Sequence, residues 1–186
     1  MEGSKMTREP EFIVYTGPMF GSKTTKMLSV LERCSYQNRR VIAFKPKMDD
    51  RYSEGEICTH AGLKFPAVNV NTGDEILSAS KDYDVIGVDE AFMIDGCADI
   101  LIHLFKEGKT VVVSSIQLSA SGNVFSEVST ILPWATKIEV CPAVCVKTGN
   151  NAFYTVRKVN TLAEIEVGGS DIYEPRAWSA TPFMND

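Results

Sequence analysis

Several features that would mark a membrane or nucleic-acid-binding protein are missing from this sequence. The chain contains no apolar run of about 18 residues, so we expect no membrane-spanning helix. Residues 1–10 are polar, lack the apolar core of a signal peptide, and are expected to form a flexible leader. The net charge of −5 argues against a protein that binds nucleic-acid backbones. The adjacent basic pair Arg39-Arg40 is interpreted as the solvated end of a helix.

Cysteine and histidine are also scarce. Five cysteines are an odd number, and they are scattered, so they indicate a reducing, cytoplasmic environment rather than a disulfide framework. They are Cys34, Cys58, Cys97, Cys141 and Cys145. Neither of the two histidines, His60 and His103, is assigned a catalytic role.

The size and composition indicate one globular domain with a small appendage. The chain has 186 residues, of which 44% are hydrophobic and 23% are charged, and this is enough to form a real core. It contains no internal repeat and no low-complexity tract.

The most informative stretch is Gly-Pro-Met-Phe-Gly-Ser-Lys-Thr at residues 17–24. The apolar run before it predicts a buried strand at residues 12–16, and the sequence after it predicts a helix. A strand, a glycine-containing loop ending in Lys-Thr, and a helix form the layout of a phosphate-binding loop. Backbone N–H groups and the helix dipole favour an anion there, while Lys23 can reach terminal phosphates and the Thr24 hydroxyl can bind Mg²⁺. The predicted phosphate-binding residues are Gly17, Pro18, Met19, Phe20, Gly21, Ser22, Lys23, Thr24 and Thr25.

This loop departs from the usual pattern at one position. Ser22 precedes the lysine where glycine is usual, and the glycine stands one place earlier, at Gly21. If the loop requires a positive φ at either position, the exchange of glycine for serine is unfavourable. Serine fits if its φ stays negative. An ordinary glycine-rich turn between a strand and a helix is the alternative interpretation of the loop taken alone.

Short β-branched runs alternate with helical segments through the first 140 residues. Such alternation indicates a mostly parallel sheet with helices on both faces. Further strands are predicted at residues 41–44, 84–89, 110–115 and 137–140, and helices at 24–38, 74–81 and 97–107, with Gly108 ending the last helix.

Two segments lie outside this alternation. Residues 53–70 are interpreted as an insertion, either a β-hairpin or a flexible loop. Residues 141–175 are richer in Gly, Thr and Tyr and contain β-like runs at 152–159 and 162–167, followed by a tight turn at Gly168-Gly169. This part is expected to form a small extension or lid on the main sheet.

A second constellation follows the third predicted strand, which ends in Asp89 and is followed at once by Glu90. In a protein with a phosphate-binding loop, an Asp at the end of a neighbouring buried strand helps to hold Mg²⁺. Glu90 would then lie near the transferred phosphoryl group, where a carboxylate accepts a proton from an attacking hydroxyl. The alternative is that Asp89 caps the next element and Glu90 is solvated. Together with Lys23 and Thr24, the pair favours phosphoryl transfer or nucleotide hydrolysis.

The chain resembles the type II thymidine kinases, the family of the human cytosolic enzyme, over residues 12 to 179. The matching segments occur in the same order and at similar spacing, which is more specific than any one motif. They are Gly17-Pro18-Met19-Phe20 with Lys23-Thr24-Thr25, Lys45-Pro46 through Asp49-Asp50-Arg51-Tyr52, Thr59-His60-Ala61-Gly62, Val85 to Ala91, Ala143-Val144-Cys145 with Gly149, Ala152 and Thr155, and Val167-Gly168-Gly169 with Tyr173.

The resemblance implies an α/β fold of the P-loop (RecA-like) type, with a mostly parallel sheet, helices on both faces and a small C-terminal lasso or lid subdomain. The implied division is a leader at residues 1–10, a nucleotide-binding domain at 11–140, and a lasso at 141–186 related to zinc ribbons but with degenerate ligands. The implied reaction transfers the γ-phosphoryl of ATP to the 5′-hydroxyl of thymidine, with Mg²⁺. Family members are commonly homotetramers, and dTTP is a possible feedback inhibitor.

The resemblance also assigns roles to individual residues. Glu90 would be the general base, Arg51 would stabilise charge on the phosphoryl group, and Thr24 and Asp89 would hold Mg²⁺. The implied nucleoside-binding residues are Met19, Asp49, Phe92, Phe125, Thr155, Val167, Gly168 and Tyr173.

The chain departs from the family on the substrate side and at the zinc site. Phe92-Met93 and Gln117 stand where other residues are usual, which makes thymidine specificity less secure than kinase chemistry. The family's lasso holds zinc with two Cys-x-x-Cys pairs. Here Cys145 and Thr148 stand at the first pair, and Ala177 and Ala180 at the second. Because Cys141 and Cys145 alone make a poor closed zinc site, we expect little or no zinc and interpret both as buried structural thiols.

Three functional hypotheses remain at this point. The first is a thymidine kinase of nucleotide salvage, and the second is a kinase of the same fold for another deoxynucleoside. The third is a nucleotide-binding protein without catalysis, which the joint presence of Lys23, Thr24, Arg51, Asp89 and Glu90 disfavours.

Overall fold

A computed structural model describes residues 8–49, 55–59, 61–158 and 167–184. The first half of the chain contains β1 (Phe12–Thr16), α1 (Lys23–Tyr36), β2 (Val41–Pro46), β3 (Glu56–Cys58), β4 (Lys64–Pro66), β5 (Val68–Val70), α2 (Gly73–Ala79) and β6 (Val85–Asp89). The second half contains α3 (Cys97–Lys106), β7 (Thr110–Ser114), α4 (Ser126–Ile131), β8 (Lys137–Val140), β9 (Ala143–Val144), β10 (Asn151–Ala152), β11 (Tyr154–Arg157) and β12 (Tyr173–Arg176).

Six strands form one parallel sheet in the order β5-β2-β6-β7-β1-β8. Strand side chains alternate between the two faces, so Phe12 and Val14 pack with α2, α3 and α4, while Ile13 and Tyr15 pack against α1. Burial on both faces explains why these strands are apolar throughout. At the centre of β6, a Cβ on Gly87 would lie 2.4 Å from Leu31 Cδ1, so the glycine admits α1 close to the sheet.

Local sequence explains where two of the helices end. Helix α3 ends in a Schellman motif, in which Gly108 has a φ of 87° and the N–H of Lys109 donates to the carbonyl of Leu104. Helix α1 ends in the same way at Asn38, with a φ of 57°, because asparagine tolerates the left-handed region better than most residues. Gly108 therefore stops α3 as predicted.

The predicted fold class is confirmed, and the three predicted helices and five predicted strands are present. Two elements of the main fold were not anticipated. Helix α4 was missed, and residues 53–70 were wrongly treated as a single insertion. Strands β3 and β4 do pair as an antiparallel hairpin, but β5 is the edge strand of the main sheet, beside β2.

The C-terminal part forms two short antiparallel pairs, β9 with β10 and β11 with β12. The predicted run at residues 152–159 divides into β10 and β11. Most of the run at 162–167 lies outside the described residues. The predicted turn begins at Gly169, whose carbonyl accepts the N–H groups of Ile172 and Tyr173 and so leads the chain into β12.

The basic pair Arg39-Arg40 serves the fold. The guanidinium of Arg39 donates to the Thr110 hydroxyl at 2.8 Å, and that of Arg40 donates to both carboxylate oxygens of Asp84, at 2.8 and 3.2 Å. These hydrogen bonds lower the pKa of Asp84 to about 2. Among the described residues, no helix is long and apolar enough to cross a membrane.

Candidate active site

The loop between β1 and α1 folds around the side chain of its own lysine. Lys23 is only 6% exposed, and its Nζ donates to the carbonyl of Pro18 at 2.6 Å. Two residues of the loop that are not glycine take left-handed backbone conformations, Phe20 with a φ of 65° and Ser22 with a φ of 61°. The possibility that Ser22 keeps a negative φ is therefore wrong, and serine carries a strain that glycine would not. The fold imposes this conformation just before the first helical residue.

Residues of the C-terminal half of the chain pack closely against this loop. A Cβ on either Gly17 or Gly21 would lie 2.4 Å from the carbonyl oxygen of Cys141, so only glycine fits at both positions. The backbone N–H of Met19 donates to the Thr155 hydroxyl at 2.9 Å. Phe20 packs against the small buried residues Ala143, Cys145, Ala152 and Ala177, which we call the ribbon cluster. The loop is thus held by residues that follow their partners in it by at least 120 positions.

Three neighbouring structural elements bring polar side chains together in front of the loop. The Thr24 hydroxyl, in the first turn of α1, donates to Asp89 Oδ1 at 2.9 Å, and its oxygen lies 3.4 Å from Ser114 Oγ. Asp89 ends β6, and Ser114 ends β7 directly beside it in the sheet. Asp89 is 7% exposed, and burial raises its pKa to about 7, together with the negative charges of Glu90 and Asp49 and against the hydrogen bonds from Ser114 and Thr24.

Glu90 follows with a φ of 49°, a left-handed conformation that is uncommon outside glycine and typical of functional positions. It lines a cleft of about 390 Å³. The loop, the acidic pair, the end of β2 and the residue Asp49 after it, and strand β3 with the residues after it contribute to the lining. The lining residues are Met19, Phe20, Gly21, Ser22, Lys23, Thr24, Thr25, Lys45, Asp49, Glu56, Ile57, Cys58, Thr59, Ala61, Asp89 and Glu90.

The cleft brings together most of the residues predicted for phosphate and metal binding. Gly17 and Pro18 do not line the cleft. Gly17 lies against Cys141, and the Pro18 carbonyl accepts the hydrogen bond from Lys23. Ser114 and Lys45 were not recognised from the sequence as site residues. Lys45 is 4% exposed although charged, and it comes directly after the apolar run of β2, which is the signal that could have found it. Ser114 offered no such signal, because its role depends on the neighbouring strand.

Six residues predicted to bind the nucleoside lie outside the described lining of the cleft. Phe92 and Phe125 pack on each other with ring centroids 4.6 Å apart. The Tyr173 hydroxyl accepts a hydrogen bond from Arg157 at 3.3 Å. Thr155 holds the loop, while Val167 and Gly168 precede the turn into β12. Arg51 and His60 lie outside the described residues. The nucleoside-binding assignments stay predictions.

The parallel sheet, the loop at the start of α1 and the acidic pair at the end of β6 define an α/β protein of the phosphate-loop, nucleotide-binding class. The family model for thymidine kinase matches residues 11–178. The chain belongs to the thymidine kinase family.

Three relatives illustrate the similarity. The thymidine kinase of Mesoplasma florum is 35% identical over 174 residues, covering 87% of this chain and 86% of that protein. The thymidine kinase of Pyrobaculum aerophilum is 34% identical over 176 residues, covering 88% and 94%. The thymidine kinase of Bacteroides thetaiotaomicron is 30% identical over 163 residues, covering 87% and 82%. Most of each protein is therefore represented in this chain.

Replacing Ser22 by glycine should stabilise the protein. A left-handed conformation costs a non-glycine residue about 1–2 kcal/mol, and glycine avoids this cost. The greater conformational entropy of glycine in the unfolded chain offsets part of the resulting gain in stability. We expect the free energy of unfolding to rise by about 0.5–1 kcal/mol, measured by urea denaturation. Ser22→Ala is the matched control, since it removes the hydroxyl and keeps the Cβ. Equal stability of the glycine and alanine variants would contradict backbone strain at this position.

Replacing Asp89 by asparagine should also stabilise the protein without ligands, with a defined pH dependence. The folded-state pKa is raised, so the folded protein binds more protons than the unfolded chain between about pH 4 and 7, and stability falls as pH rises through this window. At pH 8 we expect Asp89→Asn to be more stable by about 1–4 kcal/mol, and the gain should vanish towards pH 4.

Asp84→Asn is the control for this measurement, because the pKa of Asp84 is lowered to about 2 and the effect should have the opposite sign. This variant should be less stable than the parent at neutral pH, and the deficit should shrink as pH falls towards 2. Its effect should be smaller, because its side chain is 41% exposed and the charge pair is screened by solvent. A gain from Asp89→Asn that is independent of pH would exclude buried charge as its cause.

Proposed function

We propose that this protein is a thymidine kinase, which transfers the γ-phosphoryl of ATP to the 5′-hydroxyl of thymidine and produces dTMP for nucleotide salvage. The observation that carries the proposal is the single cleft that joins Lys23 and Thr24 to Asp89 and Glu90. A phosphate-binding loop alone would suit any nucleotide-binding protein. A carboxylate beside the metal-binding position adds a group that can accept the proton of an attacking hydroxyl.

The loop supplies the binding site for the phosphates of ATP. Backbone N–H groups at the start of α1 and its dipole favour negative charge in front of Lys23. The ammonium of Lys23 contacts the Pro18 carbonyl at 2.6 Å, and phosphate oxygens would be stronger partners because the hydrogen bond is then assisted by charge on both sides. Binding of ATP is therefore expected to draw Lys23 from Pro18 towards the β- and γ-phosphates.

The oxygen atoms near Thr24 and Asp89 fit Mg²⁺. This ion prefers oxygen ligands and is usually held by one or two protein groups together with phosphates and water. The Thr24 hydroxyl and the Asp89 carboxylate are already joined at 2.9 Å. Burial, and then the charge of Glu90, raise the pKa of Asp89, and a bound cation would favour its ionised form. When bound, Mg²⁺ would neutralise charge on the β- and γ-phosphates.

Glu90 is assigned as the general base. Its carboxylate would accept the proton of the 5′-hydroxyl as the O5′–P bond forms, and the bond between the γ-phosphorus and the bridging oxygen would break to release ADP. Its place after β6 puts it in the cleft beside Asp89. Arg51 is proposed to stabilise charge on the moving phosphoryl group.

The nucleoside is proposed to bind against Met19 and Asp49 and to be enclosed by residues that follow them in the chain. Apolar walls with a few hydrogen bonds suit a neutral base. The enclosing residues are Phe92, Phe125, Thr155, Val167, Gly168 and Tyr173. We further propose dTTP as a feedback inhibitor, a homotetramer as the assembly, and the cytoplasm as the location, where the five free cysteines would stay reduced.

Replacing Glu90 by glutamine should remove the base and keep the shape of the side chain. We expect turnover to fall by about 10²–10⁴-fold, while the affinity for ATP measured by calorimetry stays close to that of the parent. Glu107→Gln is the matched control, because this carboxylate lies at the end of α3, where it pairs with His103 at 3.3 Å. If turnover of Glu90→Gln stays near that of the parent, Glu90 is not the base.

Substrate choice is tested by phosphoryl transfer from labelled ATP with Mg²⁺. Thymidine, deoxyuridine, deoxycytidine, deoxyadenosine and deoxyguanosine are offered in parallel. We expect product from thymidine and little from the cytidine and purine nucleosides. Product from another nucleoside in preference to thymidine would indicate a different deoxynucleoside kinase. Nucleotide binding without product from any of the five would identify a protein that binds but does not catalyse.

A further inference from the structure

The β9–β10 and β11–β12 pairs form what we call the C-terminal ribbon. The ribbon cluster lies where the family resemblance implies a zinc ion. The four corresponding positions carry Cys145, Thr148, Ala177 and Ala180. A structural zinc site requires four ligands, usually thiolate or imidazole. One thiol, one hydroxyl and two methyl groups do not meet this requirement. Within residues 8–49, 55–59, 61–158 and 167–184, no group of three or more His, Cys, Asp or Glu could hold a metal ion.

Three of these positions nevertheless lie together in the structure. Cys145 is 1% exposed and packs with Ala143, Ala152 and Ala177 in the ribbon cluster, and Ala180 packs against it. The chain turns tightly after Cys145, whose carbonyl accepts the N–H of Gly149 and whose own N–H donates to Asn150. The ribbon cluster thereby joins the β9–β10 pair to the segment that follows β12.

Polar contacts order the segment that contains Ala177 and Ala180. The Thr181 hydroxyl, fully buried, donates to the Ala177 carbonyl at 2.8 Å. The guanidinium of Arg176 donates to the Ala180 carbonyl at 3.0 Å and pairs with Glu174. Phe20 of the phosphate-binding loop also packs against the ribbon cluster. The turn from Arg176 to Thr181 is thus held by hydrogen bonds within the segment itself.

We propose that the packing of the ribbon cluster takes the place of a metal ion in this protein. The ribbon folds and stays attached to the phosphate-binding loop without zinc. Introducing thiols at Thr148, Ala177 and Ala180 should create a zinc site, because Ala177 and Ala180 already pack with Cys145 and Thr148 follows Cys145 at the spacing of a Cys-x-x-Cys pair. This inference is independent of the proposed catalytic function, since zinc content and thermal unfolding require no substrate.

The experiment compares three full-length proteins expressed with added zinc: the natural chain, Cys145→Ser, and the triple variant Thr148→Cys/Ala177→Cys/Ala180→Cys. Zinc is measured by elemental analysis and the melting temperature with and without EDTA. We expect the natural chain to hold no more zinc than Cys145→Ser and to melt at the same temperature with EDTA. The triple variant should hold about one zinc ion per chain and lose melting temperature when EDTA removes it.

Two results would overturn the proposal. Stoichiometric zinc in the natural chain that is lost in Cys145→Ser, or a fall in its melting temperature with EDTA, would show that a metal ion closes the ribbon. A folded triple variant that binds no zinc would show that the four positions do not surround a common point. Far-ultraviolet circular dichroism of each protein separates this second result from a failure to fold.

Discussion

The carboxyl ends of three adjacent parallel strands determine where the functional groups of this protein lie. Strands β6, β7 and β1 are neighbours in the sheet, and they end in Asp89, Ser114 and the phosphate-binding loop. Parallel strands end at one edge, so these groups meet although they are far apart in sequence. The hydrogen bond from Thr24 to Asp89, with Ser114 at 3.4 Å from the same hydroxyl, joins the three ends. This arrangement brings the first turn of α1 and the acidic pair Asp89-Glu90 to the same edge of the sheet, where they line the cleft.

The edge of the sheet also concentrates features that oppose folding. Phe20, Ser22 and Glu90 occupy left-handed conformations, and the Asp89 carboxylate is buried beside other acidic groups. Each feature costs free energy that packing elsewhere must offset. The continuous apolar layers on both faces of the sheet provide this stability, and α1 closes one of them directly behind the loop. The strain is local to residues that line the cleft.

The C-terminal region also contacts the phosphate-binding loop. The carbonyl of Cys141 approaches Gly17 and Gly21, Thr155 holds the N–H of Met19, and the ribbon cluster contacts Phe20. Several segments of the C-terminal region therefore contact one loop near the N-terminus. The position of these segments helps to set the backbone conformation of the loop, because a Cβ at Gly17 or Gly21 would clash with Cys141. The ribbon cluster contributes through its contact with Phe20.

Local chemistry in the sequence was enough to predict the alternation of strands and helices, the phosphate-binding loop and the Asp89-Glu90 pair. Each of these depends on neighbouring residues, such as the apolar run before Gly17 or Gly108 at the end of α3. The tertiary structure decided the remainder. Strand β5 becomes an edge strand only through pairing with β2, and Ser114 becomes a site residue only beside β6. The ribbon cluster likewise depends on contacts between distant residues, which no local pattern encodes.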